Sequence, residues 1–257
     1  MRIARSLLGA DSWRRAFGAL ASTSAMSAMS LVGFGAVLAV TLGVTPLAAH
    51  AEVAAADPID ASMRTCLARS DMSSTVGQVQ CMDNARIGWN AALDGAWQQL
   101  DAKLPRARRK QWEKSQASWR ASREVEKPLL AAVFATTSGS MYVLAEADMQ
   151  LQPVRDRALA LRSAVARISA GGEPPRRPRA CSADAQCEHA MFDLNRYYRR
   201  LQAKMPARSR PTLVRAQGAW TGYLNATTPL VDEHGRIDII GARVATLKRL
   251  SETVGND

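Results

Sequence analysis

The chain lacks most of what an enzyme site is built from. It has three histidines in 257 residues, His50, His189 and His234. It has no CxxC pair, so a zinc site of cysteine and histidine ligands is not expected. There is no P-loop, no GxSxG elbow, no HExxH helix and no Gly-rich dinucleotide loop. The carboxylate pairs Glu124/Glu126 and Asp232/Glu233 are too close in sequence to converge on a substrate from a helix. His189, two residues after Cys187, reads as a surface residue rather than a catalytic base. No segment alternates apolar and polar residues with period two, so strands are not expected. These absences point away from an enzyme and away from a metal or cofactor.

What is present begins with a processing segment. Arg2, Arg5, Arg14 and Arg15 form a basic start, and no charge follows from Ala16 to Ala49. Leu31 to Leu47 is the apolar part, and Ala49-His50-Ala51 is a small-x-small cleavage signal. Residues 1–51 therefore read as a signal peptide cleaved near Ala51, with export to a periplasm or secretion beyond it. The competing reading is a retained membrane anchor, because the apolar stretch approaches spanning length; Gly33, Gly35, Gly43 and Pro46 argue against a rigid span. No stable membrane span is expected after processing.

All four cysteines, Cys66, Cys81, Cys181 and Cys187, follow that segment. An even count in an oxidising compartment reads as disulfides. Of three possible connectivities, Cys66–Cys81 with Cys181–Cys187 is the expected one, because each pair precedes its own repeat. Each bridge would contribute about 2–3 kcal/mol, mainly by restricting the unfolded chain. The formal charge is +11, falling to about +8 once residues 1–51 are removed. Such a surface favours anionic partners such as envelope polymers, or simply keeps helix faces solvated. Nucleic acid is not expected as a partner outside the cytosol.

The main lead is an internal repeat. Leu93-Asp94, Trp97, Leu100, Ala102-Lys103-Leu104-Pro105, Gln116 and Trp119 recur without a gap as Leu194-Asn195, Tyr198, Leu201, Ala203-Lys204-Met205-Pro206, Gln217 and Trp220. One helical unit used twice is the expected reading. Helix periodicity runs from Thr75 to about Lys103 and breaks at Pro105. A second helix is expected from about Arg106 past Glu126, where Pro128 kinks or stops it. Thr136 to Ser140 is a loop. A third helix reaches about Ile168, with Pro153 bending it or ending its first segment. The second unit repeats this plan, with Leu213, Trp220 and Leu224 on its second helix, a loop from Pro229 to Gly235, and a third helix through Ile240 and Leu247. The fold class is all-α: two tandem three-helix units joined by a Pro/Arg-rich linker. The expected divisions are a disordered stretch at 52–64, repeat one at 65–170, the linker at 171–180 and repeat two at 181–257.

One helix face mixes polar residues into an apolar stripe. Trp112, Gln116, Trp119 and Arg123 lie at i, i+4, i+7 and i+11; the second copy has Leu213, Gln217, Trp220 and Leu224. A glutamine on that face must hydrogen-bond something. The structural reading is that its amide caps the broken backbone near Pro105 or Pro206. The functional reading is that the face forms a groove for a partner.

Cys81, the Leu93/Trp97/Leu100 stripe, Leu104-Pro105 and the run Gln116-Ala117-Ser118-Trp119 to Arg123 together resemble the lysozyme-inhibitor LprI-like family. Gly139-Ser140-Met141-Tyr142 and the helix through Arg155, Arg157 and Leu161 resemble its C-terminal part. Repeat two resembles it most closely at Leu194-Asn195-Arg196-Tyr197-Tyr198. The departures are Leu224 in place of the family's arginine, and Lys127 and Asp148/Met149 where members often carry two further cysteines. The resemblance implies an exported helical binding protein, with a lysozyme or another muramidase as partner. The alternative is a structural envelope protein that binds anionic cell-wall or lipopolysaccharide polymers through its basic surface. Animal-type lysozymes are basic and would be repelled at long range. The expected inhibitory contact is therefore the acidic loop Asp232-Glu233-His234.

Overall fold

A computed structural model describes residues 56–256. The signal-peptide expectation for 1–51 lies outside them. The described residues form seven α-helices and no strand: α1 Pro58–Leu67, α2 Thr75–Lys103, α3 Arg106–Phe134, α4 Ser140–Ser169, α5 Ala185–Lys204, α6 Arg210–Thr227 and α7 Glu233–Thr253. The all-α class is as expected. Among these residues no helix is long and apolar enough to cross a membrane.

Local chemistry sets the helix ends. The Asp57 carboxylate accepts from the Ile59 amide at 3.0 Å, and Pro58 opens α1, satisfying an amide that has no partner within the helix. Ser74 caps α2, Asp184 caps α5 and Asp232 caps α7 in the same way. Gly77 near the start of α2 is required by space: a Cβ there would lie 2.7 Å from the Met72 Cα. Pro128 and Pro153 stop neither helix; α3 runs on to Phe134 and α4 runs through to Ser169. Each proline forfeits one backbone hydrogen bond, and packing of the helix on either side offsets the loss.

The stretch expected to be disordered at 52–64 is ordered from Pro58 onward. The reason is tertiary. Asp60 is buried, accepting from Trp89 Nε1 at 3.1 Å and from Arg155, with Nη2 at 2.7 Å. Arg162 holds Asp57 at 2.6 Å, and both arginines lie over the Trp89 ring, 5.5 and 5.1 Å from its centroid. The Cys66–Cys81 disulfide ties α1 to α2, and Cys181–Cys187 closes the start of the second repeat. Both pairings are the expected ones. An Ala-rich sequence on its own gave no sign of these anchors, because Arg155 and Arg162 arrive from α4.

The two repeats do not form separate cores. α2 packs chiefly on α4 and α5 on α7, but α3 packs chiefly on α6, the corresponding helix of the other repeat. One cluster joins Trp89, Leu93, Leu100, Trp112, Trp119 and Leu161 to Leu230 and Tyr223 of repeat two. The other joins Leu201, Leu213, Trp220 and Leu247 to Leu129, Leu130, Val133 and Phe134 of α3. Each core thus takes apolar side chains from the other repeat's central helix. This corrects the expectation of two self-contained three-helix units. A three-helix unit of this size buries little core alone, and the exchange enlarges both.

Replacing Asp60 by alanine should lower stability by about 1–3 kcal/mol, since Trp89 and Arg155 lose a buried acceptor; chemical denaturation measures this. Its hydrogen bond to Arg155 holds the Asp60 carboxyl below its ordinary value of 3.8, with burial opposing. A lowered folded value stabilises the fold above the unfolded pKa, and that contribution is lost as pH falls through the folded one. The acid limb of the stability curve should therefore be flatter in Asp60→Asn than in the parent protein.

Candidate functional site

The repeated glutamine organises the centre of the molecule. Gln116 is 2% exposed. It does not reach the Pro105 turn, as the structural reading expected; its Oε1 accepts from Arg157 Nε of α4 at 2.9 Å. Gln217 does the same one repeat later, accepting from Arg243 Nε of α7 at 3.0 Å. The helix-one turns are closed by a residue the sequence reading passed over. Arg109 donates to the Asp101 and Leu104 carbonyls at 3.2 Å, and Arg210 donates to the Met205 carbonyl at 3.2 Å. Both arginines stand four residues after the repeated Pro105 and Pro206, so repeat alignment could have found them. The pair Arg157 and Arg243 does not share that register and emerges only when the third helices are aligned separately on Leu161 and Leu247.

The two pairs differ in how their charge is met. Arg243 Nη1 also donates to both oxygens of buried Glu126, at 2.8 and 2.9 Å. Glu126 comes from α3, so this ion pair crosses the repeat boundary. Arg157 has only neutral partners: Gln116, Ser115 Oγ at 3.1 Å, and Tyr223 Oη at 3.5 Å. Ser115 in turn bonds Thr227 Oγ1 of α6 at 2.7 Å. Ser115 meets Thr227 at one end, while Glu126 and Gln217 share Arg243 at the other, so α3 and α6 run antiparallel. Burial pushes the Arg157 guanidinium below its ordinary pKa, with the Tyr223 hydroxyl opposing. Burial does the same to Arg123, with Glu126 opposing and Arg243 adding to the shift. No hydrogen bond or ion pair joins Arg123 to another described residue.

Above these pairs lies a cleft of about 700 Å³, floored by α3 and α6 and walled by α4 and α7. Trp112, Trp119 and Trp220 line it, each at most 8% exposed. Arg123, Glu126, Arg157 and Arg243 line it too. The tryptophans of the face that holds Trp112, Gln116, Trp119 and Arg123 belong to the core and also form part of the cleft floor. Arg249 of α7 pairs with Asp148 of α4 across one end.

The expected loop from Pro229 to Gly235 does not protrude. A 3₁₀ turn, Thr228–Leu230, leads almost at once into α7. Asp232 accepts from the Gly235 amide at 2.9 Å as the helix cap. Glu233 pairs with Arg179 of the linker, which lowers its pKa chiefly through that hydrogen bond. Arg236 pairs with buried Asp184 at 2.8 Å and donates to the Arg179 carbonyl. These contacts hold the end of the linker against α7. Asp232 and His234 lie on the rim of the cleft. Among the described residues no three or more His, Cys, Asp or Glu side chains could hold a metal ion.

Comparison with known proteins gives three findings. Residues 66–161 match the family model described as lysozyme inhibitor LprI. The crystal structure of an uncharacterized protein from Burkholderia thailandensis is 56% identical, with a TM-score of 0.76; the match covers 79% of this chain and all of that one. No curated protein shows significant similarity.

Because Arg157 has no carboxylate, losing Gln116 should be felt more than losing its counterpart. Gln116→Ala should cost about 1–3 kcal/mol, and Gln217→Ala should cost less, since Arg243 keeps Glu126. Glu126→Ala leaves a buried arginine without its counter-ion and should cost about 3–5 kcal/mol. Trp119→Ala should cost about 3–5 kcal/mol. Urea unfolding of the four variants orders these effects.

Proposed function

The chain belongs to the lysozyme inhibitor LprI family through residues 66–161, and from that premise we propose that it is an exported helical binding protein that inhibits a lysozyme or a related muramidase. The family match is the observation that carries this reading. Export rests on the basic start, the uncharged run and Ala49-His50-Ala51. Residues 181–257 act as a second copy of the unit. The ungapped repeat supports this, as does the same glutamine–arginine pairing, Gln116 to Arg157 and Gln217 to Arg243. The lysozyme contact is the acidic start of α7. Asp232 is exposed and Glu233 adjoins it, so they offer negative charge on an otherwise basic molecule. That local charge offsets the long-range repulsion between two basic proteins.

The mature protein, residues 52–257, should inhibit at least one of the chicken-type, goose-type and invertebrate-type lysozymes in a cell-wall lysis assay. The double variant D232N/E233Q retains a side chain able to cap α7 but removes the charge. It should weaken inhibition by about tenfold, corresponding to about 1.4 kcal/mol of binding. Ser138→Ala and Ser140→Ala, in the corresponding loop of repeat one, should leave it unchanged. Failure to inhibit any of the three would overturn the reading. Steeply salt-dependent binding to anionic envelope polymers would then be the expected activity.

A further inference from the structure

The cleft carries more positive charge than its own carboxylate answers. Five arginines line it; Arg157 and Arg243 are buried and Arg123 is half-buried, while one buried acid, Glu126, is among the lining residues. Glu126 is committed to Arg243. Arg157 has neutral partners only, and Arg123 has none among the described residues. The other acids lining the cleft, Asp156, Asp232 and Asp238, are exposed, and Asp232 is the α7 cap. A buried cation without a counter-ion is costly to fold around, so this arrangement calls for an anion from outside the chain.

The unpaired atoms at the cleft agree on the sign. Trp112 Nε1, Gln116 Nε2 and Arg243 Nη2 are buried without a hydrogen-bond partner. Two of these residues line the cleft, and Gln116 is bonded to Arg157, which also lines it. All three are N–H donors, so what they lack is an acceptor. The walls are built to stay open. Ala160, Ser163 and Ala164 of α4, and Ala242 and Ala245 of α7, are too short to close the gap. Its volume is that of a small-molecule site, and its floor is aromatic.

We propose that this cleft binds a small organic anion, a carboxylate or sulfonate on a flat apolar body, with the charged group at Arg123 and Arg243 and the body on Trp119 and Trp220. The proposal does not rest on lysozyme binding, although Asp232 of the proposed lysozyme contact stands on the cleft rim.

Two probes that differ chiefly in charge test it: anilinonaphthalene sulfonate, an anion, and phenylnaphthylamine, which is neutral. The sulfonate should bind saturably, at one per chain, and quench tryptophan fluorescence by energy transfer. Phenylnaphthylamine should bind at least about tenfold more weakly, as expected when a charge-assisted contact is missing. Arg123→Gln should keep the parent melting temperature or raise it, because Arg123 has no internal partner to lose, and should weaken sulfonate binding by about tenfold or more. Ala242→Trp, at an exposed wall position, leaves every charge in place and should abolish binding by filling the cleft. Equal affinity for the two probes would overturn the proposal. So would undiminished sulfonate binding by folded R123Q and A242W, or the absence of a saturable site.

Discussion

The antiparallel packing of α3 on α6 is the contact on which the rest of the molecule depends. Each of these helices serves two cores. The first half of α3 gives Trp112 and Trp119 to one, and its last turns give Leu129, Leu130, Val133 and Phe134 to the other. Tyr223 of α6 and Leu230 just beyond it reach back in return. Neither repeat can therefore lose its neighbour without exposing apolar surface, and hydrophobic burial is the dominant favourable term in folding. The outer pairs, α2 with α4 and α5 with α7, lie on this central pair and scarcely touch across it. The cleft is the space they leave.

Polar chemistry is concentrated at the same central pair. Gln116 and Gln217 each orient an arginine from the third helix of their own repeat. Only the second arginine is neutralised, and the carboxylate comes from the first repeat. Ten residues after Gln116 stands Glu126; ten residues after Gln217 stands Thr227, which reaches only the Ser115 hydroxyl. The Glu126/Thr227 difference, together with Ser115 where repeat two has Ala216, leaves one arginine paired with a carboxylate and one not. In a low-dielectric interior that difference is large. It makes the cleft cationic at its base, although Asp156 and Asp238 stand at its rim.

The acidic start of α7 shows how a charge read as available is partly spent on structure. Asp232 caps the helix, Glu233 holds Arg179, and nearby Arg236 holds Asp184. The linker end and the starts of α5 and α7 are joined there. Any partner that reads these acids must do so on a formed helix terminus, where the backbone is already fixed and little ordering entropy remains to oppose binding.

Much of this was determined by sequence alone. The helix bounds at Thr75, Lys103 and Arg106 follow from apolar period and the repeated Leu-Pro and Met-Pro breaks, all local signals, while Ser140, read as the end of a loop, is the first residue of α4. The disulfide pairing follows from spacing within each repeat, and the repeat itself needs only self-comparison. The burial of Gln116 and Trp119 was legible from their place on an apolar face. What Gln116 bonds to was not, because Arg157 lies forty-one residues away and only the packing of α4 brings it near. The order of residues 58–64 depends on Arg155 and Arg162, ninety-five residues or more beyond the acids they hold. Pro128 reads as a kink or a stop, yet the core on both sides of it carries α3 through to Phe134. The choice of α6 rather than α4 as the main neighbour of α3 was decided only by tertiary structure. Periodicity shows which face of a helix is apolar, but says nothing of which other apolar face will cover it.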